Sequence, residues 1–352
     1  MKSFEHGYLY DIPLSHALLM SMRALGEFKG RQVLYARQSP EVLETLRRAA
    51  IIQSTESSNR IEGITVAPER LPGLINKSAR PKDRSEQEIA GYRDVLAEIH
   101  ANHSRLKLTP NLIKEWHGLM YKYTGEKAGA WKSKDNFIME TRANGRTVVR
   151  FQPASAISTP KYMEKLVALF NHELSRGKAD PIILIASLVL DFECIHPFPD
   201  GNGRIGRLLT LLLLYQSGCD VGRFISLERI VEQSRETYYD ALKQSSLGWH
   251  KAGHDLRPWW NYFLGMLTAA YKEFEARVGN ITTAKGAKRK MVLNTIKRLP
   301  EKFSIFEIQQ ICPAVSRDLI RLVLKDLKTE GKVVCLGKGP GALWNKRGNI
   351  LK

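Results

Sequence analysis

Apolar positions in this chain recur mostly at helical spacing. In SPEVLETLRRAAIIQSTESSNRIEG, Ser39 reads as an N-cap, Pro40 as the first helical residue, Val42, Leu46 and Ala49 as one face, and Gly63 as the stop. TPNLIKEWHGLMYKYTG follows the same rule: Thr109 caps, Pro110 leads, Leu112, Ile113, Trp116, Leu119 and Met120 repeat at steps of three and four, and Gly125 ends the run. Two further segments are apolar nearly all round. PIILIASLVLDFECI starts at Pro181, and IGRLLTLLLLYQSG ends at Gly218; both predict buried helices. Strand-prone runs do not alternate with these helices and no internal repeat is present, so the fold class is mainly α.

Two segments break the pattern. NFIMETRANGRTVVRFQP sets Asn144-Gly145 between β-prone runs, the signal for a hairpin with a type I′ turn. A hairpin alone in a helical protein has open edges, so it is either a surface ribbon or a flap that pairs with an extended peptide of a partner. Near residue 280, VGNITTAKGAKRK is polar and basic and predicts a linker. Beyond it, KRKMVLNTIKRL, SIFEIQQIC and SRDLIRLVLKDLKTEG predict three short helices, the last capped by Ser316 and stopped by Gly331. KVVCLGKGPGALWNK then predicts two strands about a Gly-Pro-Gly tip.

Charge adds to this picture. The chain carries 54 Lys and Arg against 36 Asp and Glu, a formal net charge of +18. From residue 285 onward there are 16 basic and 5 acidic residues, so +11 of that excess lies in the last fifth of the sequence. Such an excess points to a polyanionic partner. Three helices followed by a hairpin resemble a winged helix-turn-helix domain. If that domain binds DNA, the helix from Ser316 is the recognition helix, with Arg317 and Arg321 one turn apart. The alternative is a module for protein contacts or dimerisation.

At 352 residues, 43% hydrophobic and 26% charged, the composition is that of an ordinary globular protein with a large core. No apolar run reaches the length of a membrane span and the start lacks a signal-peptide pattern, so the expected location is cytoplasmic. Cys194, Cys219, Cys312 and Cys335 are far apart and read as reduced packing residues. His250 and His254 have the i, i+4 spacing of zinc ligands, but HKAGHD contains glycine and reads as a loop. His117 reads as a structural histidine.

The densest chemistry lies in HPFPDGNGRIGR, residues 196–207. Pro197 ends the preceding helix, and Gly201 and Gly203 allow positive φ, so DGNG makes a tight loop feeding a helix at about Arg204. Backbone N–H groups over a helix start form an anion site, and Arg204 and Arg207 add fixed charge for phosphate oxygens. Asp200 is a hard oxygen ligand of the kind Mg²⁺ uses beside phosphates. His196 can accept a proton near neutral pH. Base, metal ligand and phosphate cradle describe transfer of a phosphate-containing group to a hydroxyl.

The segment is similar to the full signature of the Fic family, H-x-F-x-[D/E]-G-N-G-R-x-x-R, with His196, Phe198, Asp200, Gly201, Asn202, Gly203, Arg204 and Arg207 at every fixed position. Similarity extends over roughly residues 40 to 275, through SSNRIEG, EQEIAGYRDVL and AGAWKSKDNFI before the signature and SRETYYDALKQSS and LRPWWNYFLGML after it. The resemblance implies an all-helical core with a hairpin flap that moves AMP from ATP onto a hydroxyl side chain of a target protein. By resemblance, His196 is the base, Asp200 holds Mg²⁺, and Gly201, Asn202, Gly203 and Arg204 cradle the α- and β-phosphates. Arg207 takes the γ-phosphate, Phe198 anchors the core, and Tyr238 and Tyr239 flank the adenine. LDFECIHPF departs from members with a second histidine or glutamine earlier in that helix.

Ser58, Glu62 and Gly63 in SSNRIEG match the family's inhibitory pattern, [S/T]-x-x-x-E-[G/N], which implies that Glu62 pairs with Arg207 and withholds it from the γ-phosphate. Ser58, one helical turn before Glu62, is placed to hydrogen-bond its carboxylate. The residues add their own anomaly: Glu62 ends a helix, where the dipole disfavours negative charge. The expected organisation is an N-terminal helical region, 1–100, carrying this motif; a catalytic core, 101–280; and the winged-helix-like domain, 281–352. Two function classes follow: an adenylyltransferase restrained by Glu62, or a DNA-binding regulator that uses the fold as a nucleotide sensor. Within the first, transfer of another phosphate-containing group and removal of AMP stay open, as do a homo-oligomer and the identity of the target.

Overall fold

The computed structural model describes residues 2–5, 7–38, 40–141, 145–279, 287–312, 315–337, 339 and 341–347. Ser39, Asn144, most of the expected linker and Pro340 of the Gly-Pro-Gly tip lie outside them. The chain is mainly helical. In order it runs α1 (Tyr8–Asp11), α2 (His16–Gln38), α3 (Pro40–Ile61), α4 (Leu71–Ile75), α5 (Arg84–Asn102), α6 (Pro110–Tyr121), β1 (Ile138–Thr141), β2 (Thr147–Phe151), α7 (Thr159–Arg176), α8 (Pro181–Ile195) and α9 (Asn202–Gln216). It continues through α10 (Leu227–Gln233), α11 (Arg235–Ser246) and α12 (Arg257–Gly279) into α13 (Ala287–Arg298), β3 (Lys302–Ser304), α14 (Ile305–Ile311), α15 (Arg317–Thr329), β4 (Val333–Cys335) and β5 (Leu343–Lys346).

Local chemistry sets the helix ends. Thr109 Oγ1 accepts the Leu112 N–H at 3.1 Å with Pro110 at the first position, and Asp180 accepts the Ile182 N–H at 2.8 Å ahead of Pro181. At the end of α3 the Ile64 N–H bonds Asn59 O and the Gly63 N–H bonds Arg60 O, both at 3.0 Å, with Gly63 at φ 80°. That pair of bonds is a Schellman cap, which only a residue tolerant of the left-handed region completes without strain. The cap fixes where Glu62 leaves the helix.

The uninterrupted apolar runs become α8 and α9, buried on nearly every face. Around them α12 is fastened by indoles: Trp259 Nε1 donates to Ala186 O at 2.7 Å and Trp260 Nε1 to Ser187 Oγ at 3.0 Å. Each such ring removes on the order of 200 Å² from water while keeping its one polar atom satisfied. A single apolar core holds side chains from Phe4 to Val278, so residues before and after position 100 share it. The N-terminal residues join it through Ser3, whose N–H and Oγ bond the buried Asp191 of α8 at 3.1 and 2.8 Å. His250 and His254 have separate partners, Gln152 O and Ser3 Oγ, and so do not form a ligand pair.

β1 and β2 pair antiparallel as a hairpin, with a register shift between Ile138 and Met139. Lys243 of α11 holds it by an ion pair to Glu140 at 2.8 Å. A second core, built on Val292, Phe303, Ile320, Val323, Leu324 and Val333, organises α13 to β5, with an antiparallel sheet ordered β3-β5-β4. β3 is the strand that sequence pattern did not predict; three residues are too few to show alternation. On α15, Ser316 accepts the Leu319 N–H at 3.3 Å as expected, and Arg321, Lys325 and Lys328 are exposed. Arg321 faces Asp318 at 3.4 Å.

Candidate functional site

The loop between α8 and α9 is shaped by its own side chains. His196 caps α8 in the left-handed region, φ 51°, with its N–H on Phe192 O at 2.8 Å. Asn202 closes the loop on Phe198, accepting its N–H and donating to its carbonyl, both at 2.8 Å. Lys132 ties the loop from outside: its N–H donates to Pro197 O at 2.8 Å and its Nζ to Ile195 O at 2.9 Å and Asn136 Oδ1 at 2.7 Å. Asn136 then donates to the carbonyls of His196 and Phe198. His117 lies flat on Phe198, ring centroids 3.9 Å apart; its Nδ1 accepts the Gly129 N–H, which leaves Nε2–H to donate to Asp200 O at 3.2 Å. His117 is therefore a buried structural histidine.

Of the two signature glycines, Gly201 alone takes positive φ, 76°. Gly203 lies inside the first turn of α9, which starts at Asn202 and not at Arg204. The absent side chain at 203 is what admits the carboxylate: a Cβ there would stand 2.5 Å from Glu62 Oε1 and 3.1 Å from Arg207 Nη1, so Glu62 would have to move. The Glu62 carboxylate thus occupies the N-terminal end of α9, where helix N–H groups favour an anion. Its own helix end disfavours the charge, and the end of the neighbouring helix offsets that cost.

Arg207 is buried and meets this carboxylate, Nη2 to Oε1, at 2.7 Å. Its Nε donates to Ser58 Oγ and its Nη2 to Ser58 O, each at 2.9 Å. Ser58 therefore orients the arginine, not the carboxylate as its one-turn spacing suggested; a serine one turn back reaches the guanidinium that lies between them. Burial would lower the Arg207 pKa, and the Glu62 charge more than reverses this and holds the guanidinium above its usual range.

Arg204 departs from its expected part. It is fully buried, with Nη1 on Glu88 Oε2 at 2.6 Å and Nη2 on Tyr121 Oη at 2.7 Å, so its side chain braces α9 against α5 and α6. The side chains of Asn202 and Arg204 both face inward, which leaves backbone N–H groups and Arg207 to form the anion site. Tyr121 in turn donates to Asp200 Oδ2 at 3.0 Å, and Asp200 Oδ1 accepts the Gly201 N–H at 2.7 Å. Burial pushes the Asp200 carboxyl up, but this N–H, Arg204 and the Tyr121 hydroxyl hold it below its ordinary value, and its side chain is 70% exposed. It is ionised and open to solvent.

His196, Glu62, Gly203, Arg207 and Tyr239 line a cleft of about 680 Å³ together with hairpin residues of β1 and β2. Burial, then Lys132, pushes the His196 imidazole down to about 4, so it is neutral at physiological pH. Tyr238 is buried against Trp259 and Tyr262, while Tyr239 is half-buried with the Arg150 and Arg235 guanidiniums over its ring.

Sequence pattern did not single out Glu193. It is buried one helical turn before His196, with Oε2 3.7 Å from His196 Nδ1 and Oε1 without a hydrogen-bond partner. Burial pushes its carboxyl up to about 7, against the pull of Arg207. A carboxyl raised on folding contributes stability that is complete below its unfolded value near 4.5 and is lost as pH rises through about 7. Glu193→Gln should therefore melt higher than wild type at pH 8 by a few degrees, with the gap closing near pH 5. Calorimetric scans at the two pH values check this; an unchanged gap removes Glu193 as a titrating group.

A helical core thus surrounds a helix–loop–helix that sets an ionised carboxylate, a neutral histidine and a buried arginine about one cleft. The chain belongs to the Fic/DOC family, whose profile matches residues 107–214. A Fido domain-containing protein of Dictyostelium discoideum is 35% identical over 100 residues, 24% of this chain and 70% of that one. A probable protein adenylyltransferase of Aquifex aeolicus is 31% identical over 99 residues, 28% of each chain, and protein adenylyltransferase fic-1 of Caenorhabditis elegans is 32% identical over 170 residues, 47% of this chain and 30% of that one. The chain thus spans less than a third of the length of these two adenylyltransferases. In fold it is similar to a Fic family protein from Desulfovibrio desulfuricans, TM-score 0.62 at 20% identity, covering 96% of this chain and 98% of that one. No helix among the described residues is long and apolar enough to cross a membrane.

Proposed function

We propose that this protein transfers AMP from ATP onto a hydroxyl side chain of a target protein, and that Glu62 restrains it. The observation that carries this reading is the Glu62 carboxylate seated on Arg207 at the start of α9: an internal anion fills a place suited to a phosphate, at the edge of a cleft that also holds a neutral histidine. The relatives named protein adenylyltransferases support the reaction type.

In the reaction, the target hydroxyl oxygen bonds to the α-phosphorus, the bond from that phosphorus to the bridging oxygen breaks, and pyrophosphate leaves. His196 takes the hydroxyl proton. With Nδ1 turned toward Glu193, Nε2 is the nitrogen left to accept it. Backbone N–H groups of residues 202 and 203 at the start of α9 bind phosphate oxygens, the Gly201 N–H being held by Asp200, and Arg207, once released from Glu62, binds the terminal phosphate. The half-buried Tyr239 is the aromatic surface offered to the adenine, while Tyr238 supports it from the core. The hairpin positions an extended target segment over the cleft.

Asp200 fits Mg²⁺: it is a single ionised, exposed carboxylate beside the anion site, and among the described residues no cluster of three or more His, Cys, Asp or Glu could hold a metal. Such an ion depends on phosphate oxygens for the rest of its shell. When bound, Mg²⁺ neutralises charge on the phosphates. Asp200→Ala, made in a variant freed of Glu62, should lose Mg²⁺-dependent transfer of label from ATP while ATP still binds through Arg207. Incorporation of label from α- but not γ-labelled ATP identifies AMP as the group transferred. Unchanged turnover in Asp200→Ala would remove Asp200 from the reaction, and no transfer even in a variant freed of Glu62 would favour a nucleotide sensor.

A further inference from the structure

A second cavity, about 420 Å³, lies where α3, α10 and α12 meet α13 and α14. Its charges are out of balance. Glu273 of α12 serves two guanidiniums at once: Arg229 of α10 bonds one of its oxygens through Nη2, and Arg277 of α12 bonds the other through Nη2. Arg229 spends Nη1 on Gln233, at 3.1 Å. Each arginine then keeps one buried nitrogen with no hydrogen-bond partner, Nε of Arg229 and Nη1 of Arg277. Arg298 of α13 adds a third positive charge at the exposed rim.

Two guanidiniums that share one carboxylate, with Arg298 beside them, leave the wall of this cavity with an excess of positive charge that a bound anion offsets. The strain registers on Arg277, whose pKa falls below its ordinary value chiefly because of burial, with repulsion from Arg229 adding to it. Guanidinium forks match phosphate oxygens in spacing and in number of donors. The volume is in the range of small-ligand sites.

We propose that this cavity is a second anion site, separate from the catalytic cleft, that takes the phosphate group of a small phosphorylated molecule. It seats that group between the catalytic core and the C-terminal module, against Gln53, about two and a half turns ahead of Glu62 on α3. The site does not depend on the adenylyltransferase reading.

The test is titration calorimetry of the full chain with inorganic phosphate and, separately, with AMP, comparing wild type with Arg277→Met and Asn294→Glu. Asn294 lines the same cavity, and a glutamate there supplies the missing carboxylate from within. Both variants should weaken phosphate binding at least about tenfold. Asn294→Glu should in addition raise the melting temperature, which keeps the test decisive if Arg277→Met does not fold. Binding lost in these variants belongs to this cavity and not to the cleft. AMP bound there more tightly than phosphate assigns a nucleotide, and phosphate bound as tightly or more tightly assigns the free ion. Phosphate affinity unchanged in the folded variants, or no binding by wild type up to ~10 mM, overturns the proposal.

Discussion

Glu62→Gly should raise transfer of AMP by about one to two orders of magnitude. The carboxylate it removes occupies the start of α9 and the outer face of the Arg207 guanidinium, the two places a polyphosphate needs. A hundredfold restraint corresponds to ~2.7 kcal/mol in favour of the closed arrangement. The pair can supply that: Arg207 is buried and doubly bonded to Ser58, although Glu62, 31% exposed, is partly screened by water. The substitution also leaves a buried cation without its counter-charge. The variant should therefore melt below wild type without nucleotide and recover when ATP binds. Rates are read from labelled AMP incorporated at saturating ATP, with folding checked by the same melts. Equal rates in two folded, saturated proteins would sink the idea.

His196→Ala, made in the Glu62→Gly background so that a loss is measurable, should lower transfer by about 10²- to 10⁴-fold, the usual contribution of a general base. The pH profile separates a base from a merely structural residue. Burial holds His196 near 4, so its neutral form is already complete at pH 6, and the rate should fall only as pH drops below about 5. An imidazole with its ordinary value would put that fall near 6.5. Any further step close to pH 7 belongs to Glu193, and Glu193→Gln should abolish it. A rate that tracks an ionisation near 6.5 and still does so in Glu193→Gln, or His196→Ala at the speed of its parent, would show that another group takes the proton.

How much of this could be seen in the sequence depends on how local each determinant is. Thr109-Pro110, Pro181 and the Gly63 stop mark helix ends because a helix-end signal and its partner lie within a few residues of each other. The anion loop was legible for the same reason. What was not legible depends on distance in sequence. Lys132 and Asn136 sit some sixty residues before the carbonyls they bind, and nothing in WKSKDN announces those acceptors. Arg204 reads as a phosphate ligand until Glu88 and Tyr121, on other helices, are found around it. Ser58 sits one turn from Glu62, which suggested a bond between them; the arginine that separates them comes from a distant helix, α9. Glu193 was hidden in an apolar run, where two acids two residues apart, Asp191 and Glu193, give no helical period to detect.

Gly203 has a consequence for how this protein can change over generations. Its missing side chain makes room for the Glu62 carboxylate at rest, and in the proposed mechanism the same room receives phosphate. A lineage selected to run faster can shed its restraint through changes at position 62, and more weakly through position 58, and keep the chemistry intact. The same lineage finds no such route at position 203, where any substitution that evicts the glutamate also crowds out the nucleotide. Selection on activity and selection on restraint are thus separable on α3 and inseparable on α9, so natural variation in regulation should collect at the end of α3.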